Sequence, residues 1–348
     1  FSGKTSDMHA SHMPLVTVVI TAYNRERFVG EALESVLRQT VSDWEMIVVD
    51  DGSTDGTADV VEQCKDPRVR LLRQSNSGAA AALNRGIAEA KGFWIAFLDC
   101  DDRYQPRKLE RHLQVHYSDP AAEASASRVR YINELGTPFS KYSYYAARYR
   151  SMRRKSSKAP SLFFSLLAEN HLITTSSLFA KRSVLQEVGG FVGLRYIHDW
   201  FMFLTLASRQ TFTVIEEELT DYRRHGGNII RENDARGQIE DNMALAWQVT
   251  AYMERHATGG ELRDIFMAVR QNPRVDFELF SLFGLWRAYS KGDPAALDLL
   301  KGRDPWVLEY GSRKVRRRPV RKMTRRILQK IGLIGEMGME ILGWRNNI

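Results

Sequence analysis

Two cysteines, Cys64 and Cys100, are too few for a disulfide framework, and a reducing compartment suits them. No uninterrupted apolar run exceeds about seven residues, far short of the roughly 18 that would cross a bilayer as a helix. No secretory leader is recognisable, and there is no internal repeat. Collagen-like and wholly disordered chains are excluded by a composition of 43% hydrophobic and 26% charged residues over 348 positions. That length favours two domains. Acidic residues are missing altogether from 313 to 330, where ten basic residues occur; subtracting those ten from the net +8 leaves the rest of the chain at −2.

The basic stretch runs into Ile327, Leu328, Ile331, Ile334, Met337, Ile341, Leu342 and Trp344. These recur at three- and four-residue steps, one face of a helix. Basic charge beside an apolar stripe suits a segment lying on an anionic membrane surface, here 313–344. A solvated charge run followed by a helix that packs on its own protein, or on a second copy as a homo-oligomer, suits it too. No nucleic-acid motif accompanies the charge, so nucleic acid is not expected as a partner. A second basic cluster, six residues between Arg148 and Lys158, has no role assigned by its sequence.

Residues 1–13 read as an expression-tag remnant ending in Ser11-His12-Met13. Strands are expected at 15–20, 45–49, 69–72 and 93–98, with helices at 27–38, 57–64 and 79–91 between them. Strands alternating with helices at this spacing imply βαβ units and a mostly parallel sheet flanked by helices. Tyr131 to Tyr149 reads as short strands and loops, 199–208 as a helix and 212–215 as a short strand. From about 231 to 348 the chain reads as a helical C-terminal region, divided by Gly259-Gly260, Pro273 and Gly292-Asp293-Pro294.

Ligands of open parallel sheets sit beyond the carboxyl ends of the strands. Three polar clusters fall there: Thr21-Ala22-Tyr23-Asn24, Asp50 to Thr57, and Asp99-Cys100-Asp101-Asp102. Three carboxylates in four residues repel one another, and an oxygen-seeking divalent cation, Mg²⁺ or Mn²⁺, would compensate them.

With those clusters, Asn76-Ser77-Gly78, Asn84-Arg85-Gly86, Thr174 to Phe179, Val188 to Phe191, His198-Asp199-Trp200 and Tyr222 to Asn228 occur in order. Together they resemble glycosyltransferase family 2, the inverting enzymes of the GT-A fold, bacterial polysaccharide-biosynthesis type, over about 14–230. The resemblance implies an α/β GT-A domain at 14–230, with the helical region at 231–348. It implies a metal-dependent transfer from a nucleotide-sugar, UDP-sugar favoured, to a hydroxyl of a saccharide or lipid-linked acceptor. Such an enzyme would work in the bacterial cytoplasm, peripheral at the inner face of the membrane. Thr21, Tyr23, Asn24, Asp51, Asn84 and Asp99 would hold the nucleotide. Asp101, with Asp99 and His225, would hold the metal. Asp199 would be the general base. Asp102, Arg223, Arg224, His198 and Trp200 would lie near phosphate or acceptor. The family commonly has Glu-Asp where this chain has His198-Asp199, and often arginine where it has Leu83. Two rival readings are a phosphoryl-transfer enzyme using the Asp-x-Asp site and a non-catalytic membrane-surface scaffold. The first usually carries its aspartates after strand one; the second need not keep every carboxylate, as this chain does.

Overall fold

A computed structural model describes residues 13–159, 161–194 and 197–227. All of these but Leu167–Glu169 fall in one compact unit. The expected helices beyond 230, the basic segment 313–344 and most of the tag remnant lie outside the described residues.

The β-branched runs become strands. β1 (Val16–Ala22), β2 (Trp44–Asp50), β3 (Val69–Arg73) and β4 (Trp94–Asp99) lie parallel in the order β3-β2-β1-β4. Helices α1 (Glu26–Leu37), α2 (Thr57–Glu62) and α3 (Ala79–Glu89) connect them. The sheet continues through β7 (Leu178–Lys181), β6 (Ala124–Ile132), β8 (Phe212–Arg223) and the short β5 (Arg103–Tyr104). β7 runs antiparallel to β4 and β6, while β6 and β8 are parallel, so the sheet is mixed. α4 (Lys108–Ser118), α5 (Tyr144–Ser156), α6 (Leu162–Ala168), α7 (Arg182–Glu187) and α8 (His198–Ala207) complete the described elements, with a 3-10 turn at Thr175–Ser177.

Side chains alternate across the sheet. Val16, Val18 and Ile20 of β1 share a core with Val29, Leu33 and Val36 of α1. Val19 points the other way, toward α3. A Cβ on Gly86 would stand 2.2 Å from Val19 Cγ1, so the missing side chain lets α3 lie on the strand. Gly86→Ala is therefore expected to cost about 1–3 kcal/mol by overpacking. Urea unfolding checks this, and adding Val19→Ala should recover part of the loss.

Two departures from expectation position later arguments. The 131–149 region contains the end of β6 and the start of a full helix, α5, whose N-cap Ser143 accepts from Ala146 N–H. The strand expected at 212–215 runs on for 12 residues, with register shifts against β6 where Glu216, Glu217 and Glu218 turn outward.

Two buried polar chains run through the fold. On α4, Lys108, His112 and His116 recur at four-residue steps on the buried face. Ala122 O can only accept, so His116 Nδ1 carries a proton toward it at 3.0 Å. His116 Nε2 then accepts from Ser125 Oγ, which accepts from His112 Nδ1, and His112 Nε2 accepts from Lys108 Nζ. Burial pulls Lys108 down to about 7, opposed by the Asp102 charge, and holds His112 well below the usual histidine range. The second chain runs from Arg128 to His171 Nδ1 (2.9 Å), from His171 Nε2 to Ser165 Oγ (2.8 Å), and on to Leu162 O. Burial, then the charge of Arg128, pushes His171 down to about 3.

Candidate active site

The carboxyl ends of β1, β2 and β4 carry the three polar clusters, as parallel register requires: Thr21 stands beside Val49 and Asp99. The first two loops lock together. Asn24, at φ 51°, accepts from Thr54 N–H and donates its own N–H to Ser53 Oγ. Arg25 N–H donates to Thr57 Oγ1 at 2.7 Å. Tyr23 emerges from this frame 44% exposed, a ring available to solvent.

Asp51, expected at the nucleotide, is buried, and its oxygens accept from Gln74 Nε2, Ser77 N–H and Gly78 N–H. It shapes the loop that starts α3. Gly52, at φ +79°, fits beside that loop because a Cβ would stand 2.8 Å from Asn76 N. Asn84, also expected at the nucleotide, sits elsewhere: it donates to Phe191 O (2.8 Å) and accepts from Phe191 N–H (2.7 Å). Both ends of its amide hold the loop after α7.

The third cluster is divided by burial. Asp102 is 1% exposed. It accepts from Ser176 Oγ (2.7 Å) and Arg223 N–H (2.9 Å), fixing the 3-10 turn and the end of β8 to the β4 loop. It does not cap α4, which starts after Arg107. Burial, with Asp101 and Asp99 nearby, pushes its carboxyl well above the usual range. Asp99 accepts from Thr174 Oγ1 at 2.8 Å. Burial first and the Asp101 charge second raise it to about 6, and the charges of His198 and Asp199 also reach it.

Asp101 faces a cleft. Its Oδ2 lies 2.9 Å from His225 Nε2 and 3.5 Å from Arg25 Nε. Gly227 N–H donates to His225 Nδ1, so Nε2 carries the proton that Asp101 accepts. The histidine packs against Phe28, with ring centroids 4.9 Å apart. Among the described residues no three His, Cys, Asp or Glu side chains form a ready cation cage. One carboxylate and one imidazole converge instead. That suits an ion such as Mg²⁺ or Mn²⁺, which usually takes one or two protein ligands and completes its shell with substrate phosphates and water.

The arginines were placed differently by the sequence. Arg223 is fully buried and donates to Asp101 O, Glu134 O and Glu31 Oε2. Arg224 lies over the Tyr145 ring at 5.1 Å. Neither guanidinium faces the Asp101 carboxylate. Arg25 does, and sequence reading missed it, although it directly follows Thr21-Ala22-Tyr23-Asn24. Its other donors hold Asn24 O and Gly227 O.

Asp199 is the second residue of α8 and accepts from Trp200 N–H at 2.6 Å and from Asn170 Nδ2 at 3.4 Å. Trp200, expected near acceptor or phosphate, is 2% exposed and donates Nε1–H to Leu166 O. It anchors α8 rather than lining the cleft. His198 is half-buried beside Phe191, and its Nδ1 is a buried atom with no hydrogen-bond partner.

The Glycosyl transferase family 2 model matches residues 17–189. TuaG of Bacillus subtilis, described provisionally as a teichuronic acid biosynthesis glycosyltransferase, is 39% identical over 132 residues, covering 37% of this chain and 52% of its own length. Hyaluronan synthase of Pasteurella multocida is 35% identical over 133 residues, 38% of this chain and 14% of that one. The chain thus spans about half, or much less, of these curated relatives. Among solved structures, Staphylococcus aureus TarS 1–349 with UDP-GlcNAc aligns with a TM-score of 0.53 at 15% identity, covering 81% of this chain and 88% of that one. A Pyrobaculum calidifontis mannosyltransferase with GDP-Man and Mn²⁺ gives 0.50 at 19%, covering 90% and 84%. The mostly parallel, helix-flanked mixed sheet is the GT-A fold, and through residues 17–189 the chain belongs to glycosyl transferase family 2.

Proposed function

We propose that the protein transfers a sugar from a nucleotide-sugar, UDP-sugar favoured, to an acceptor hydroxyl, with inversion at the anomeric carbon, in surface polysaccharide biosynthesis. One observation carries this reading: Asp199 and His198, on a helix 100 residues beyond β4, lie close enough to Asp99 for their charges to act on it. Groups suited to the two sides of a displacement therefore share one cleft. The named ligands of the similar structures, UDP-GlcNAc and GDP-Man, support a nucleotide-sugar donor.

Tyr23 offers a face for the base, in a frame held rigid by Asn24, Ser53 and Thr57. Asp101 and His225 would hold the divalent cation, for which His225 must give up its Nε2 proton. When bound, that ion offsets the negative charge growing on the departing diphosphate. Arg25, already at Asp101, adds positive charge on the same side. Asp199 takes the proton of the attacking hydroxyl as the oxygen bonds to the anomeric carbon and the nucleoside diphosphate leaves from the opposite face.

The test is thermal protection followed by turnover. UDP at about 100 times its Kd, with Mn²⁺, should stabilise the fold by about 2.7 kcal/mol, a shift on the order of 5 °C for a chain of this size. EDTA should abolish the shift, and inorganic phosphate should not reproduce it. A screen of nucleotide-sugars should then find one that is hydrolysed slowly without acceptor. Protection by phosphate alone would favour phosphoryl transfer, and no protection by any nucleotide would sink the reading.

A further inference from the structure

The basic cluster on α5 is not used by the site described above. From 135 to 168 the chain has seven lysines and arginines and no acidic residue. α5 buries Tyr149 and Met152 against the body and turns its charge outward. Arg150, Arg154, Lys155 and Lys158 are exposed and form no ion pair among the described residues. Tyr142 and Tyr144 are exposed at 81% and 68% beside the start of the helix.

The helix links two places. At its start, Tyr145 stacks on Tyr131 and lies under the Arg224 guanidinium, one residue from His225. At its end, Arg153, Arg154 and Ser157 border a cavity of about 590 Å³, with Arg128, Thr213 and Glu216 on the other walls. Glu216 pairs with Arg128 and Arg153, which leaves the Arg154 charge uncompensated there. Thirteen residues at 1.5 Å each make this a track about 20 Å long from cleft to cavity.

We propose that the outer face of α5 and the cavity at its end bind the acceptor as an anionic polysaccharide, carrying carboxylate or phosphate groups along its length. This rests on the glycosyl-transfer reading and adds the acceptor's charge class. Arginine forks match carboxylate and phosphate in pairs of hydrogen bonds, and repeated negative charge complements repeated positive charge along the helix. A lipid surface fits less well. The apolar face of α5 is already buried in its own protein, so the exposed face has no aliphatic side chain to insert.

The test compares the full chain with the variant Arg150→Ser, Arg154→Ser, Lys155→Ser, Lys158→Ser. A control removes four exposed cations elsewhere: Arg38, Lys65, Arg73 and Arg107, each to Ser. The probes are polygalacturonate, neutral dextran, and vesicles containing phosphatidylglycerol, in about 0.1 M salt. The α5 variant should bind polygalacturonate at least ten-fold more weakly than both other proteins, and none should bind dextran. Hydrolysis of the donor without acceptor should be the same in all three. Equal polygalacturonate binding by the α5 variant and the unaltered chain overturns the proposal, as does a matching loss in the control. A loss confined to vesicles assigns the face to membrane instead. Absence of donor hydrolysis in the unaltered chain would fault the enzyme reading itself, a separate outcome.

Discussion

Asp199→Asn should lower sugar transfer by about 10³-fold while leaving UDP protection intact. The size follows from the role: a positioned general base contributes about 10² to 10⁴-fold. The substitution is isosteric, and an asparagine Oδ1 still accepts from Trp200 N–H, so the start of α8 survives. What is lost is the ability to take a proton. The measurement is single-turnover transfer with a saturating donor, beside a thermal shift with UDP and Mn²⁺. Near-normal transfer would remove Asp199 from the role. Transfer and UDP protection lost together would show that the side chain supports the fold of the cleft rather than the chemistry.

Acidification should unfold the protein well before the exposed carboxylates explain it. His171 is 2% exposed and held near 3 by burial and by Arg128, against about 6.5 when unfolded. The unfolded chain therefore binds a proton that the folded chain refuses, and stability is lost as pH falls below about 6.5 toward 3. By pH 4 this one histidine should cost about 3 kcal/mol. Glu216 adds in the same direction. Burial opposes the effect, but hydrogen bonds and charge from Arg128 and Arg153 hold its carboxyl below the usual value, so its contribution also fades in acid. Urea unfolding at pH 7 and pH 4 reads the total. His171→Gln can still accept from Arg128 and donate to Ser165, so it should flatten the pH dependence by roughly 3 kcal/mol between those values. An unchanged slope would show that His171 is not the group responsible.

The parallel half of the sheet was legible because its strands are uniform β-branched runs closed by Asp, Gly and Asn loops. β6 was not, and its residues show why. Ala124-Ser125-Ala126-Ser127 has no apolar rhythm, yet it is buried. Its serines are tolerated there because Lys108, His112 and His116 of α4 satisfy them. α5 was missed because tyrosine and arginine fill both of its faces, so its buried stripe does not stand out. β8 seemed short because three outward glutamates interrupt it. Within the site, positions at strand ends could be anticipated from parallel topology. Partners could not. Asn84 turned to Phe191, Arg223 to Glu31 and Glu134, and Arg25 to Asp101, choices made by contacts between segments far apart in sequence.

The same long-range contacts decide when the cleft comes into being during synthesis. His225 meets Asp101 across 124 positions, and Arg223 meets Glu31 across 192. A nascent chain that has emerged only to the end of α3 can already form its first βαβ units, but its Asp101 is not yet made, and the histidine is further off still. Competence should arrive in one step, after β8 has docked beside β6. A chain cut short before residue 223 would expose a half-built sheet edge and acidic loop to the cell, a substrate for chaperones and proteases rather than a weak enzyme.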